Sequence, residues 1–278
     1  MSAAGKVGRI ARVVAIATLV AGAVMMALVS QARAAAERQL WRLGESFTSL
    51  TERADPTGDP RTLVVNGAEV VIRSDHASGD VAAALDRAED ACAGYQVGER
   101  KTTMRAANAD HGFVACFHGL RDRGTASLIH AGWTFVTSGD MSGMGPFDYT
   151  YVRASAGGVH ELHVRLPHLD IEAMFPDDGD APGLDVREVP RPPGGVRILS
   201  AFDADQPYQV AIYRSHDGTP RQIAEGYRQQ LGDAGWRVDA GQVTDARVSL
   251  VATRASEMVA IVLRSSDGGV TTTIGAGL

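Results

Sequence analysis

The residues of this chain that could do chemistry together are His160 and His163, three positions apart, with His168 close behind them. Two imidazoles at short spacing suit a metal ion. The text around them, His160-Glu161-Leu162-His163-Val164-Arg165-Leu166, alternates polar and apolar as a strand does, and strand positions three apart point to opposite faces. The pair is therefore not expected to converge on one ion, and His168, after Pro167, could join only through a turn. Cys116 and His118 are two apart and would share a strand face, as a thiol and its base must. Cys92, 24 residues before Cys116, competes for that thiol. The sequence predicts a Cys92–Cys116 disulfide, which removes the nucleophile, against the alternative of two buried thiols.

Ser142 lies in Gly139-Asp140-Met141-Ser142-Gly143-Met144-Gly145. A nucleophile elbow needs glycine two before and two after its serine, and Asp140 and Met144 stand there, so the stretch reads as a loop. Asp177, Asp178 and Asp180 cluster between Pro176 and Pro182, but the spacing and closing glutamate of a calcium loop are missing. Trp133 and Trp236 are expected to cover the ends of cores, and Tyr149, Tyr151 and Tyr208 to occupy sheet positions. No P-loop or dinucleotide fingerprint occurs. The sequence thus implies no catalytic set, cofactor or metal.

The chain has a net charge of −6, and residues 1–34 contribute four basic residues and no acid, so the remainder is more acidic still. Such a body repels phosphate backbones, and nucleic acid is not an expected partner. Lys6, Arg9 and Arg12 precede an uncharged run from Val13 to Val29, and the small-x-small triplet Ala32-Arg33-Ala34 follows. That pattern predicts either a signal peptide cleaved after Ala34 or an anchor through residues 10–30. The expected location is the bacterial inner membrane, single-pass with the carboxyl-terminal bulk in the periplasm, or the periplasm itself after cleavage.

The elements that must position these groups begin with a short amphipathic helix, Leu40, Leu43, Phe47 and Leu50 setting its period, read within a stalk and linker over 35–62. Asn66-Gly67 between apolar runs predicts a tight hairpin over Leu63–Ser74, and a helix follows over Asp80–Cys92 with Ser78 as its cap. Strands near 197–202 and 209–213 precede a second helix, with Thr219 at its cap and Pro220 in its first turn. Three short recurrences suggest a duplication: Arg73-Ser74 and Arg214-Ser215, Ala131-Gly132-Trp133 and Ala234-Gly235-Trp236, Arg153-Ala154-Ser155 and Arg254-Ala255-Ser256. The fold class expected is α+β, with two duplicated β-β-α-β-β-β modules behind the N-terminal helix. The modules span 63–175, with a cysteine-containing insertion, and 196–278, joined by a Pro/Gly/Asp linker over 176–195.

That outline is similar to the small modules that secretion and pilus machines display outside the cytoplasm. The function expected is a non-enzymatic, exported envelope protein that binds another envelope protein as an assembly accessory. A periplasmic binding module for a small ligand or cell-wall material is the alternative, and a hydrolase comes third.

Overall fold

The computed structural model describes residues 3–54, 58–92, 96–97, 100–101, 103–118, 125–138, 141–167, 170–203, 207–266 and 268–277; within these, the side chains of 3–21 and a minority of others are not described. The Asn-Gly hairpin forms as its residues dictate. Strand β1 (Arg61–Val65) pairs with β2 (Ala68–Ala77), Val65 lying opposite Ala68. Asn66 and Gly67 take φ of 48° and 79°, the positive values a type I′ turn requires. Helix α2 (Val81–Ala91) follows, capped by Asp80 rather than Ser78: the Asp80 carboxylate accepts the Ala83 N–H at 2.8 Å.

Beyond α2 come the ribbon β3 (Gln96–Val97) and β4 (Arg100–Lys101), then β5 (Thr103–Ala107), β6 (His111–Phe117), α3 (Thr125–Ser138), β7 (Phe147–Ser155), β8 (Gly158–Leu166) and the single turn α4 (Ile171–Met174). The remainder is β9 (Val196–Asp203), β10 (Gln209–Ser215), α5 (Pro220–Asp233), β11 (Arg237–Val243), β12 (Arg247–Arg254), β13 (Glu257–Ser266) and β14 (Gly269–Ala276). Thr219 and Gln222 form a complete capping box on α5 with Pro220 in its first turn, and Gly235, at φ 82°, follows its end.

Twelve of these strands form one antiparallel sheet in the order β11-β12-β13-β14-β10-β9-β1-β2-β8-β7-β6-β5. This corrects the expected α+β pair of duplicated modules. β1 and β9 pair directly, Leu63 to Val65 against Asp203 to Ala201, so the sheet and its core run across the point where a module boundary was expected. Strand order on the two sides of that seam is alike, and Arg73-Ser74 and Arg214-Ser215 both lie on the strand before a helix, but the other two recurrences that suggested copies do not correspond. Gly132 and Trp133 lie inside α3, whereas Gly235 and Trp236 lie in the turn after α5. Arg153-Ala154-Ser155 leads into the chain's last hairpin strand before the seam, whereas Arg254-Ala255-Ser256 leads into the second-last strand of the chain. Triplets of common residues recur by chance, and two free sheet edges with apolar side chains gain by pairing with each other.

The N-terminal expectation is corrected as well. Among the described residues, no helix is long and apolar enough to cross a membrane. Helix α1 runs unbroken from Ala3 to Ala54, through the small-x-small site, and part of the uncharged run on which the crossing rested lies among side chains outside the described set. Its second half belongs to the core: Ala36, Leu40, Leu43 and Phe47 are completely buried, on the period read from sequence, against Phe113, Tyr149 and Leu162. Leu50's side chain is outside the described residues. The helix lies flush on the sheet because Gly44 has no side chain; a Cβ there would stand 2.4 Å from the Tyr151 ring.

Helix α1 covers one face of the first half of the sheet, β1, β2 and β5–β8. Helix α2 covers the other face through Val81, Ala84 and Leu85, and the Cys92–Cys116 disulfide ties its end to β6. Helix α5 covers the second half, β9–β14, on the same face as α2, through Ile223, Tyr227 and Leu231 against Tyr213, Leu250 and Ile261. Residues 176–195 are irregular, as read, but they are not merely solvated: Val186 and Val189 are buried with the α5 cluster.

Candidate binding groove

Each carrier of predicted chemistry has a definite place. His160 and His163 point to opposite faces of β8, as their spacing required. On one face Ser74 Oγ lies 2.5 Å from His160 Nε2, and the His76 ring centroid is 5.0 Å from that of His160. On the other, His163 Nδ1 is 3.2 Å from Thr150 Oγ1, with Asp75 and Glu161 at 3.6 and 3.5 Å from Nε2. Burial, then Arg73, hold the His163 pKa below its usual value against the opposing pull of those acids. His168 falls outside the described residues. Sequence reading missed the Ser74–His160 contact, which no local motif announces because the partners come from β2 and β8. Ser74 is completely buried, so no substrate can reach its oxygen.

Cys116 is bonded to Cys92, and His118 Nε2 is 2.8 Å from Asp148 Oδ2. Ser142 opens a one-turn 3-10 helix; Gly139 and Asp140 are outside the described residues. The aspartate cluster disperses, Asp177 pairing with Arg42 at 2.9 Å and Asp180 with Arg191 at 2.6 Å. Among the described residues no group of three or more potential ligands could hold a metal ion. Trp236 is 5% exposed with the Arg254 guanidinium 4.5 Å over its ring, whereas Trp133 is 56% exposed, contrary to expectation, because it sits on the outer side of α3.

What the sheet does build is a groove of about 790 Å³ on the α1 face of the second half, beside the flank of α1. Antiparallel register sets its floor. Arg214 of β10 stands opposite Thr271 of β14, Thr271 opposite Arg264 of β13, and Arg264 opposite Arg247 of β12. The next row inward is Ile212, Thr273, Val262 and Ser249. Because directly opposed residues share a face, both rows point into the space that α1 fills in the other half. One wall is the flank of α1, with Arg42, Glu45 and Ser46, and the segment from Phe175 to Gly179, the Arg42–Asp177 ion pair linking the two.

Arg197 also borders the groove but is committed elsewhere. A register shift between Ile212 and Tyr213 turns it toward the opposite face, where its Nη1 donates to Asp185 at 2.5 Å and its Nε and Nη2 to the Ala181 carbonyl. Arg191 and the Tyr213 hydroxyl also donate to Asp185, at 2.7 and 2.9 Å. Burial pushes the Asp185 carboxyl up, but these hydrogen bonds outweigh it and hold its pKa below the usual value. Arg214 and Arg264 have no such carboxylate among the described residues.

The arrangement defines a class no finer than an antiparallel sheet protein with helices on one face throughout and an open groove of mixed polar and apolar lining on half of the other. No protein-family model, curated protein or solved structure matches the chain.

Proposed function

We propose that this is a non-enzymatic binding protein whose ligand lies in the groove over β10, β14 and β13. The observation that carries this reading is the floor itself. At positions where the first half presents Phe113, Tyr149 and Leu162 to a helix, the second half presents Arg214, Thr271 and Arg264 to solvent inside a concavity, with Thr273 buried at its base. A groove of about 790 Å³ is within the range of small-molecule sites, and mixed apolar and polar lining is what such sites use to hold and orient a ligand. Of the two binding roles expected from sequence, this geometry favours a ligand over a protein partner. The hydrolase reading gains nothing, since the serine oxygen of the one serine–histidine contact in the described residues, Ser74, is buried. The disulfide is compatible with residence in an oxidising compartment.

The test is a thermal-shift and calorimetric screen of the full chain against small polar molecules and cell-wall fragments, repeated with Val262→Trp, which fills the middle of the floor. Ligands that bind the native chain should lose at least tenfold in affinity in the variant and be recovered chemically unchanged. Binding that survives the filled groove, or a ligand returned as product, defeats the proposal.

A further inference from the structure

We infer that the row Arg214, Thr271, Arg264 and Arg247 is an oxyanion site, and that the groove's ligand is a small molecule carrying a phosphate, sulfate or carboxylate group. This rests on the groove being the binding site. Three observations independent of its volume point to the anion.

The first is the placement of like charges. Arg264 and Arg247 are directly opposed across β13 and β12, an arrangement that repels, and Arg214 stands two strands away in the same row with Thr271 between. Adjacent strands are about 4.8 Å apart, so Arg214 and Arg264, on either side of Thr271, stand about 10 Å apart at the backbone, a gap their side chains can close from both sides. Arg247 adds its charge from beside Arg264, just outside the groove lining. The second is the lack of neutralisation. The chain as a whole is acidic, and other arginines of its second half are taken up by carboxylates: Arg191 by Asp180 and Asp185, Arg197 by Asp185, Arg254 by Glu188 and Glu257. Among the described residues, none of the three in the row has such a partner, and Arg247 Nε is buried with no hydrogen-bond acceptor. An anion between them supplies what is missing, since guanidinium groups bind oxyanions through paired N–H donors and the Thr271 hydroxyl can add another.

The third is the rim, which selects the size of the ligand. Glu45, Asp177 and Asp178 line the opposite wall. Two of these, Glu45 and Asp178, have no cationic partner among the described residues. An extended polyanion or an anionic membrane surface would have to bring its charges against this wall, whereas a single recessed oxyanion faces only the arginines. The same acids would favour a ligand with a cationic or hydroxyl group on the side away from its anion.

The experiment uses the full chain with inorganic phosphate as the probe, at constant ionic strength with chloride as the control. Phosphate should shift the Nε–H resonances of Arg214 and Arg264 with saturation, and chloride should not. Arg264→Gln and Arg214→Gln should each weaken phosphate binding at least tenfold, with Arg264→Lys intermediate. In the absence of phosphate, Arg264→Gln and Arg247→Gln should raise the Tm by relieving repulsion, an effect opposite to that of removing a structural arginine. Saturable phosphate binding unaffected by both glutamine variants, or no phosphate binding at all, overturns the oxyanion site. If ligands from the screen are blocked by Val262→Trp yet bind Arg264→Gln at native affinity, the groove reading stands and the oxyanion inference alone falls. Binding to vesicles containing phosphatidylglycerol, abolished by Arg264→Gln and without any response to free phosphate, would assign the arginines to a lipid headgroup and overturn the small-molecule ligand.

Discussion

The two halves of the sheet show how little backbone difference separates a core from a binding surface. Both are antiparallel strands of one sheet, both have a helix on the α2 and α5 face, and they differ in what the α1 face carries. In the first half, Phe113, Phe117, Tyr149, Leu162 and Val164 are covered by α1, and the Tyr149 hydroxyl reaches the Leu40 carbonyl at 2.8 Å. In the second half the same alternation delivers Ile212 and then mostly arginines, threonines, Ser249 and Val262, and α1 reaches only the β9 and β10 side of that face. An antiparallel sheet can leave one face wet, so side-chain choice alone decides whether a helix is recruited. Walls borrowed from α1 and residues 175–179 then turn a wet face into a groove.

The contrast is broken most directly by truncating matched positions. Phe47→Ala removes a fully buried ring between α1 and the first-half sheet and should cost about 3–5 kcal/mol. Val262→Ala, on the groove floor, should cost well under half of that. Denaturant melts of the two variants measure both; equal losses would mean that the second-half face is as tightly packed as the first.

The seam joining the halves is narrow, and Asn66 holds it. Its side-chain amide donates to the Met174 carbonyl at 2.7 Å, its Oδ1 accepts the Ser200 N–H at 2.7 Å, and its own N–H donates to the Ser200 carbonyl at 2.8 Å. Asn66→Gly keeps the positive φ that the hairpin needs while removing the two side-chain bonds, leaving a buried acceptor and donor unpaired at about 1–3 kcal/mol each. The expected result is a loss of about 2–4 kcal/mol and separation of the melts reported by Trp236 in the second half and Trp41 in the first. A single transition with a loss below about 1 kcal/mol would show that the shared core, not this residue, couples the halves.

Local signals in the sequence were read correctly where one turn or one helical period determined the outcome. Asn66-Gly67, Thr219-Pro220 and the Leu40, Leu43, Phe47 stripe all lie where their chemistry placed them. The cysteine pair was legible for a similar reason, since two thiols have one possible pairing. What could not be read was set by contacts far apart in the chain. The β1–β9 pairing joins residues about 140 positions apart, and it turns two expected modules into one sheet. The groove escaped notice because its arginines lie on three strands, each of which also carries a buried face; Val259-Ala260-Ile261-Val262-Leu263-Arg264 reads as core when Ile261 and Leu263 are followed and as groove floor when Val262 and Arg264 are. Only the strand order brings Arg214 beside them. Asn66 shows the same limit, because its turn was legible and its latch on Ser200 was not.

The smallest predicted difference between the halves is in their response to acid, and its sign follows from the two depressed pKa values. In the first half, burial and Arg73 lower the His163 pKa, so the folded chain holds fewer protons than the unfolded chain just below the usual histidine value of 6.5. Its contribution to stability is complete above that pH and is lost as pH falls through the folded-state pKa. In the second half, hydrogen bonds from Arg191, Tyr213 and Arg197 depress the Asp185 pKa against the upward push of burial. That contribution is complete above the usual carboxyl value of 3.8 and is lost only below it. Both losses accompany acidification, but in separate windows. Denaturant midpoints followed by Trp41 and Trp236 between pH 7 and pH 3 should fall first for the first-half probe and later for the second. His163→Gln should flatten the early decline and leave the late one, and Asp185→Asn should lower stability at neutral pH while flattening the late one. If one substitution flattened both declines, the two sites would be titrating as a single unit across the seam, and the sheet would be sharing acid sensitivity that its geometry assigns to separate halves.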